Sequence, residues 1–308
     1  MFKRILSVIA VLLVIALGYL LFWPVPVEPV AWEAPENRGY VGDFAPNQAL
    51  ADIKRIDLGE HSGPEDVAIG PDGLVYVSTH DGTILRHEPG SANTVKFADT
   101  KGRPLGIEFG RDGDLYVADA YKGLLKINPS GEVSLLTNKT DEGSPILYAD
   151  DLDITSEGLV YFTDASIKFG AEANGGTLPA SLLDLIEHGP NGRVLKFDPA
   201  TNETTIIHQG MSFANGLALT SDESHILVAE TGGYAIHKIP LNAPETAKPV
   251  ITNLPGFPDN VNDNPDGTFW IGLASPRSVP VDKLSGQPFL RKVIQRLPAA
   301  IRPKPQRY

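Results

Sequence analysis

The chain has 308 residues, 42% of them apolar, with 30 Gly and 26 Pro, a composition that allows a substantial core and many short, turn-linked strands. Its net charge of −12 argues against a nucleic-acid partner. It contains no cysteine, which excludes disulfides, thiolate metal sites and a cysteine nucleophile.

Lys3 and Arg4 precede an uncharged run from Ile5 to Trp23. That length predicts a membrane-spanning helix, so residues 1–23 are read as an anchor. The run is longer than the apolar core of a signal peptide. It is followed by Pro24-Val25-Pro26 and not by a small-residue cleavage pattern, which favours a retained anchor over a cleaved signal. The two basic residues predict a cytoplasmic N-terminus and a folded domain on the other side, in periplasm, exterior or lumen. Residues 24–50 are Pro-rich and weakly patterned and read as a linker. The folded domain is expected over 51–308.

That domain is a repeat. A polar turn followed by an alternating apolar strand recurs as GPDGLVYVS (70–78), GRDGDLYVA (110–118), TSEGLVYFT (155–163), TSDESHILVA (220–229) and NPDGTFWIG (264–272). Each copy follows one short strand and precedes further strand-like pieces. Several strands per period of about 40–45 residues predict the blades of a β-propeller. One longer period holds an insertion near 166–192. Within it Leu178, Leu182, Leu185 and Ile186 share one helical face, predicting a short helix over one mouth of the ring.

Seven residues before the turn acids Asp72, Asp112, Glu157, Asp222 and Asp266 stand Glu65, Leu105, Asp150, Asn215 and Asp259. Equivalent positions in a propeller are related by rotation about its axis, so these side chains are expected to converge. Four of the five are hard oxygen donors, although Asp, Glu and Asn make up only about one residue in six of the chain. The next positions, Asp66, Gly106, Asp151, Gly216 and Asn260, offer a second polar layer. Converging carboxylates repel one another unless protonated or joined by a cation, and an oxygen-only set of carboxylates and amide favours calcium. The alternatives are strand caps that satisfy backbone groups and a purely structural ion. Calcium could polarise a carbonyl or phosphoryl oxygen while Asp259 acts as base or nucleophile. No nucleophile elbow, zinc-protease motif or phosphate loop is present. The seven histidines form no spacing pattern, although His61 and His80 flank the inner strands of the first blade.

The segments GPEDVAI, RPLGIEF, DDLDIT, FANGLALT and GFPDNVN resemble the strictosidine-synthase-like branch of the gluconolactonase–paraoxonase propellers, from about residue 50 to the end. The resemblance implies six blades, with the last apparently missing or incomplete here because the family would continue past Tyr308. In the hydrolytic members it implies a catalytic calcium on the axis, with Glu65, Asn215 and Asp259 matching the ligand motifs and Asn260 as a further candidate. Asp150 stands where Asn is usual. Leu105 stands where paraoxonase-like members carry a catalytic His, so that mechanism does not carry over. The last-blade Glu of strictosidine synthase has no counterpart.

The expected function is therefore calcium-dependent hydrolysis of lactones or esters, with Glu65, Asp150, Asn215 and Asp259 as ligands and Asp259 as base. The alternatives are a synthase-type enzyme forming a carbon–nitrogen bond, or a non-catalytic binding propeller with a structural metal. The expected partners are a small-molecule substrate and a membrane. Membrane contact is expected through the N-terminal helix, and the basic amphipathic helix at 288–297, where Phe289, Leu290, Val293, Ile294 and Leu297 share a face, is open to two readings: a second contact with the membrane surface, or a helix packed over the propeller mouth, which the resemblance favours. Segment 277–307 carries eight Arg or Lys against one acid, Asp282, so a surface contact of this helix would be with anionic lipid.

Overall fold

The computed structural model describes residues 2–303. Helix α1 (Phe2–Phe22) takes up the uncharged run and buries none of its residues in the protein. Its 21 residues span about 31 Å at the α-helical rise, enough to cross a bilayer core.

The rest is built from antiparallel sheets whose strands follow chain order from the axis outward. The first comprises β1 (Val67–Ile69), β2 (Val75–Ser78), β3 (Thr83–His87) and β4 (Thr94–Asp99), and the second β5 (Pro104–Phe109), β6 (Leu115–Asp119), β7 (Gly123–Ile127) and β8 (Val133–Thr137). The third comprises β9 (Ala149–Ile154), β10 (Val160–Asp164), β11 (Gly192–Asp198) and β12 (Glu203–Met211). Helix α2 (Thr177–Glu187) is inserted between β10 and β11. The fourth sheet comprises β13 (Ala214–Leu219), β14 (His225–Glu230), β15 (Ala235–Pro240) and β16 (Lys248–Ile251). The fifth has two strands among the described residues, β17 (Gly256–Asp263) and β18 (Phe269–Pro276), followed by helices α3 (Val279–Lys283) and α4 (Pro288–Arg296).

The polar turns are the β1–β2, β5–β6, β9–β10, β13–β14 and β17–β18 hairpins. Asp72 accepts the Leu74 N–H and the Tyr76 hydroxyl, and Asp112 repeats both bonds with Asp114 and Tyr116. This is why an acid recurs there: its carboxylate closes the turn and orders the next strand.

Successive sheets pack face to face. Ala68, Tyr76 and Ile84 of the first meet Ile107, Val117 and Leu125 of the second. Tyr116 and Leu124 meet Phe162 and Leu195 of the third. Val194 and Met211 meet Leu217 and Val228 of the fourth, and Tyr234 and Ile236 meet Phe257 and Val261 of the fifth. Between the fifth sheet and the first no such cluster forms among the described residues. Val67, Ile69 and Trp270 are exposed there. A cleft of about 620 Å³, lined by Glu65, Asp66, Asp259, Asn260 and Trp270 among others, opens along this seam.

The end at which the inner strands begin is capped. Within the Pro-rich segment 24–50, residues 25–36 lie against that cap and do not run free. Val27 is fully buried beside Leu105, Tyr148, Phe169 and Ala180, Trp32 stacks on His188 at 3.9 Å, and Arg277 donates to the Pro35 carbonyl. Helix α2 forms where expected, and Leu185 and Ile186 of the expected face pack half-buried against the cap, but its most buried side chains are others. Ala180, Asp184 and Glu187 are buried while Leu178 is exposed, because Asp184 accepts Ser166 and Asn191 and Glu187 accepts the Glu28 N–H.

Candidate functional site

Four of the five positions found by counting come together at the capped end of the axis. Asn215, at the start of β13, donates from Nδ2 to Asp259 Oδ1 of β17 at 2.6 Å. Asp150, on β9, is buried and close enough to Glu65 and Asp259 for their charges to act on it. Glu65 stands two residues before β1 and faces Arg103. Leu105, the fifth position, packs into the apolar cap with Tyr148 and Phe213. His61 is paired with Asp81 at 2.7 Å and His80 is exposed.

The electrostatics follow from crowding. Burial, then the Asp259 carboxylate, push Glu65 up to about 7 against the pull of Arg103. Burial, then Glu65 and Asp259, push Asp150 well above the ordinary carboxylate range. Burial also raises Asp259, and the Asn215 amide partly offsets that. Asn215 Oδ1 is buried without a hydrogen-bond donor, an expensive state for an amide oxygen.

The second layer does a different job. Asp66 Oδ2 accepts the Ile107 N–H at 2.9 Å, and Asp151 Oδ2 accepts the Leu217 N–H at 2.8 Å. Each acid reaches the neighbouring inner strand beside a glycine, Gly106 or Gly216. A Cβ on Gly216 would lie 2.4 Å from the Val261 nitrogen and 2.5 Å from the Asp259 carbonyl. Asp66 and Asp151 are thus staples between blades, which the alternation of Asp and Gly in that layer encodes.

Counting sevens missed the layer two residues earlier: Gly63, Arg103, Tyr148, Phe213 and Phe257. Tyr148 and Phe213 meet edge to face at 5.2 Å. Arg103, 6% exposed, sits 3.6 Å from Glu65 through Nη2, with Nε unpartnered. The signal was an arginine directly before Pro104-Leu105 at a strand start, where a charged side chain has no way out to water.

Among the described residues, no three His, Asp or Glu side chains are spaced as a ready metal cage. The donor chemistry nonetheless fits a hard divalent cation: three carboxylates that repel one another and an amide oxygen with no donor.

The comparisons with known proteins agree with the fold. Residues 42–87 match the family described as "Strictosidine synthase-like, N-terminal" and residues 150–244 that described as "Strictosidine synthase". The adipocyte plasma membrane-associated protein of Rattus norvegicus is 32% identical over 302 residues, covering 91% of this chain and 78% of its own length. A gluconolactonase from Xanthomonas campestris superposes with a TM-score of 0.57 at 18% identity, over 70% of this chain and 71% of its own. A calcium-binding protein, regucalcin, from Agrobacterium tumefaciens does so with 0.52 at 14%, over 68% and 67%.

Proposed function

We propose, for a chain that belongs to the strictosidine-synthase-like family of β-propellers, that it is a calcium-dependent hydrolase of lactones or esters. The observation that carries this reading is the orphaned Asn215 Oδ1 among three crowded carboxylates. Such a set is relieved by a cation. Glu65, Asp150, Asn215 and Asp259 would hold it. Calcium bound there would supply Lewis-acid polarisation of the substrate carbonyl.

The chain's own groups supply the rest. Asp259 lines the open seam, where water reaches it, and its carboxylate accepts the proton of the attacking water as the water oxygen adds to the carbonyl carbon. The acyl–oxygen bond then breaks and the departing alkoxide takes the proton back. Asn215 holds Asp259 in position. Arg103 offers positive charge beside the reacting oxygen, and Tyr148 and Phe213 keep water from the capped side. The gluconolactonase and the calcium-binding regucalcin share this fold, a likeness that supports the reading without carrying it. The exposed α1, together with the membrane-associated relative, supports an anchored protein with Lys3 and Arg4 in the cytoplasm and the propeller on the other side.

Arg103 favours a second reading. A guanidinium beside Glu65 is a built-in counter-charge, and a metal-free pocket would suit a synthase-type or purely binding propeller. Hydrolysis of phenyl acetate and a δ-lactone by the full chain in detergent separates the two. The hydrolase reading expects calcium-dependent turnover that falls about 100-fold or more in Asp259→Asn, and calcium affinity that rises in Arg103→Met as a like charge is removed. Turnover unaffected by Asp259→Asn, or no turnover with calcium bound, would reject it.

A further inference from the structure

Helix α4 is inside out for a helix packed on a soluble domain. Arg291 is fully buried and Gln295 and Arg296 nearly so, while Phe289 is 52% and Leu290 44% exposed. Of the apolar face expected from the sequence, Phe289 and Leu290 point away from the protein, while Val293, Ile294 and Leu297 are half-buried. The inward side is polar for a reason. The Arg291 guanidinium donates to the Ile186 carbonyl at 2.9 Å and to those of Val30 and Ser285, capping the C-terminal end of α2. Lys292 pairs with Glu28.

The far end of α4 is tied to the anchor. Arg296 donates from Nε to the Trp23 carbonyl at 2.6 Å and from Nη1 to that of Leu20 at 3.1 Å. These are free carbonyls at the C-terminal end of α1, which a cation is suited to cap. Tyr19 and Trp23 pair there at 5.6 Å, as aromatic residues do at a membrane boundary. If α1 crosses the bilayer, Arg296 lies at the headgroup level. Phe289 and Leu290 lie only about 10 Å farther along α4.

We propose that α4 is an interfacial helix, latched to the anchor through Arg296, which lays Phe289 and Leu290 into the membrane surface and turns the capped end of the propeller toward the bilayer. The occupant of the apolar face is lipid because the face continues from α1. The proposed contact is apolar and differs from the electrostatic docking that the eight basic residues offered. Arg277, Arg291 and Arg296 are buried in internal bonds, Lys292 is paired, and Arg302 donates to Gln295 and to the Leu297 carbonyl, which leaves Lys283 as the exposed base among the described residues of the segment. Lys304 and Arg307 lie outside the described residues.

The chain has no cysteine, so one nitroxide label reports one position. The full chain, reconstituted in phosphatidylcholine–phosphatidylserine nanodiscs, is labelled at Leu290→Cys, at Phe289→Cys as a second probe, and at Arg111→Cys in the exposed β5–β6 hairpin at the opposite end. Relaxation by oxygen, which partitions into lipid, is compared with relaxation by a water-soluble nickel chelate. The expected oxygen-to-nickel ratio is several-fold higher at 289 and 290 than at 111, is unchanged by high salt, and falls when Arg296→Gln is added. A ratio at 289 and 290 equal to that at 111 would overturn the proposal. So would spin–spin broadening between labels at 290, since a second copy would then cover the face.

Discussion

The seam between the third and fourth sheets and the seam between the fifth and first are built from equivalent strands, yet they differ in kind. The first is sealed: Val194, Met211, Leu217 and Val228 are buried across it. Asp151 and Asp153 accept the Leu217 and Leu219 N–H groups at 2.8 and 2.7 Å, and Thr163 donates to the Asn215 carbonyl. The second is joined by two amides, Asn260 to the Glu65 carbonyl at 3.0 Å and Asn262 to Asp66 at 3.3 Å, with a cleft beside them. The difference divides the candidate site. Asp150 and Asn215 stand on the sealed side, 4% and 5% exposed, where their positions are fixed. Glu65 and Asp259 line the cleft, where a ligand and water can reach them. One half of the ring is built to hold and the other to admit.

The comparison breaks first at a sealed interface. Phe162, fully buried between the second and third sheets, is expected to cost about 3–5 kcal/mol as Phe162→Ala, read as a large drop in the denaturant midpoint of the full chain. Gly216→Ala comes next. Its Cβ would strike the Val261 nitrogen and the Asp259 carbonyl, so about 2–4 kcal/mol of stability is expected to go. Hydrolytic activity should fall further than stability predicts, because Asp259 is displaced.

The crowded acids sharpen the comparison through pH. Burial, then Asp153, Asp66 and Asp263, push Glu108 up to about 8. Glu65 lies at about 7, and burial with Asp263 and Glu223 raises Asp153 to about 6. These values exceed those of the unfolded chain, so the folded protein keeps protons that the unfolded one has lost. Their contribution is full below about pH 4 and is lost as pH rises through 6 to 8. Calcium-free protein is therefore expected to melt lower at pH 8.5 than at pH 5.5. Glu108→Gln should flatten that slope and raise the melting temperature at the alkaline end. An unchanged slope would show that Glu108 ionises normally. The smallest effect belongs to the open seam: Trp270→Ala, at a residue 59% exposed, should change stability by less than about 1 kcal/mol.

Much of this was legible in the sequence because rotation about an axis turns spacing into proximity. The turn acids set the register, and seven residues back from each lay the ring that the fold brings together. Arg103 was legible only as an arginine at a strand start; that its guanidinium turns to Glu65 is shown by the fold alone. The orientation of α4 was not legible. A helical pattern shows that Phe289 and Leu290 share a face, but not which side meets the protein, and here the capping of α2 by Arg291 decided it. Residues 25–36 read as a linker because proline hides periodicity, while their fixing comes from distant partners such as Glu187, Ser285 and Arg277.

The most direct test is calorimetric titration of calcium into the full chain in detergent, beside Glu65→Gln and Asp259→Asn. A single site in the native chain, weakened at least about tenfold in both variants, is the predicted result. No binding by the folded native chain, or equal affinity in all three proteins, would contradict a calcium site on this ring.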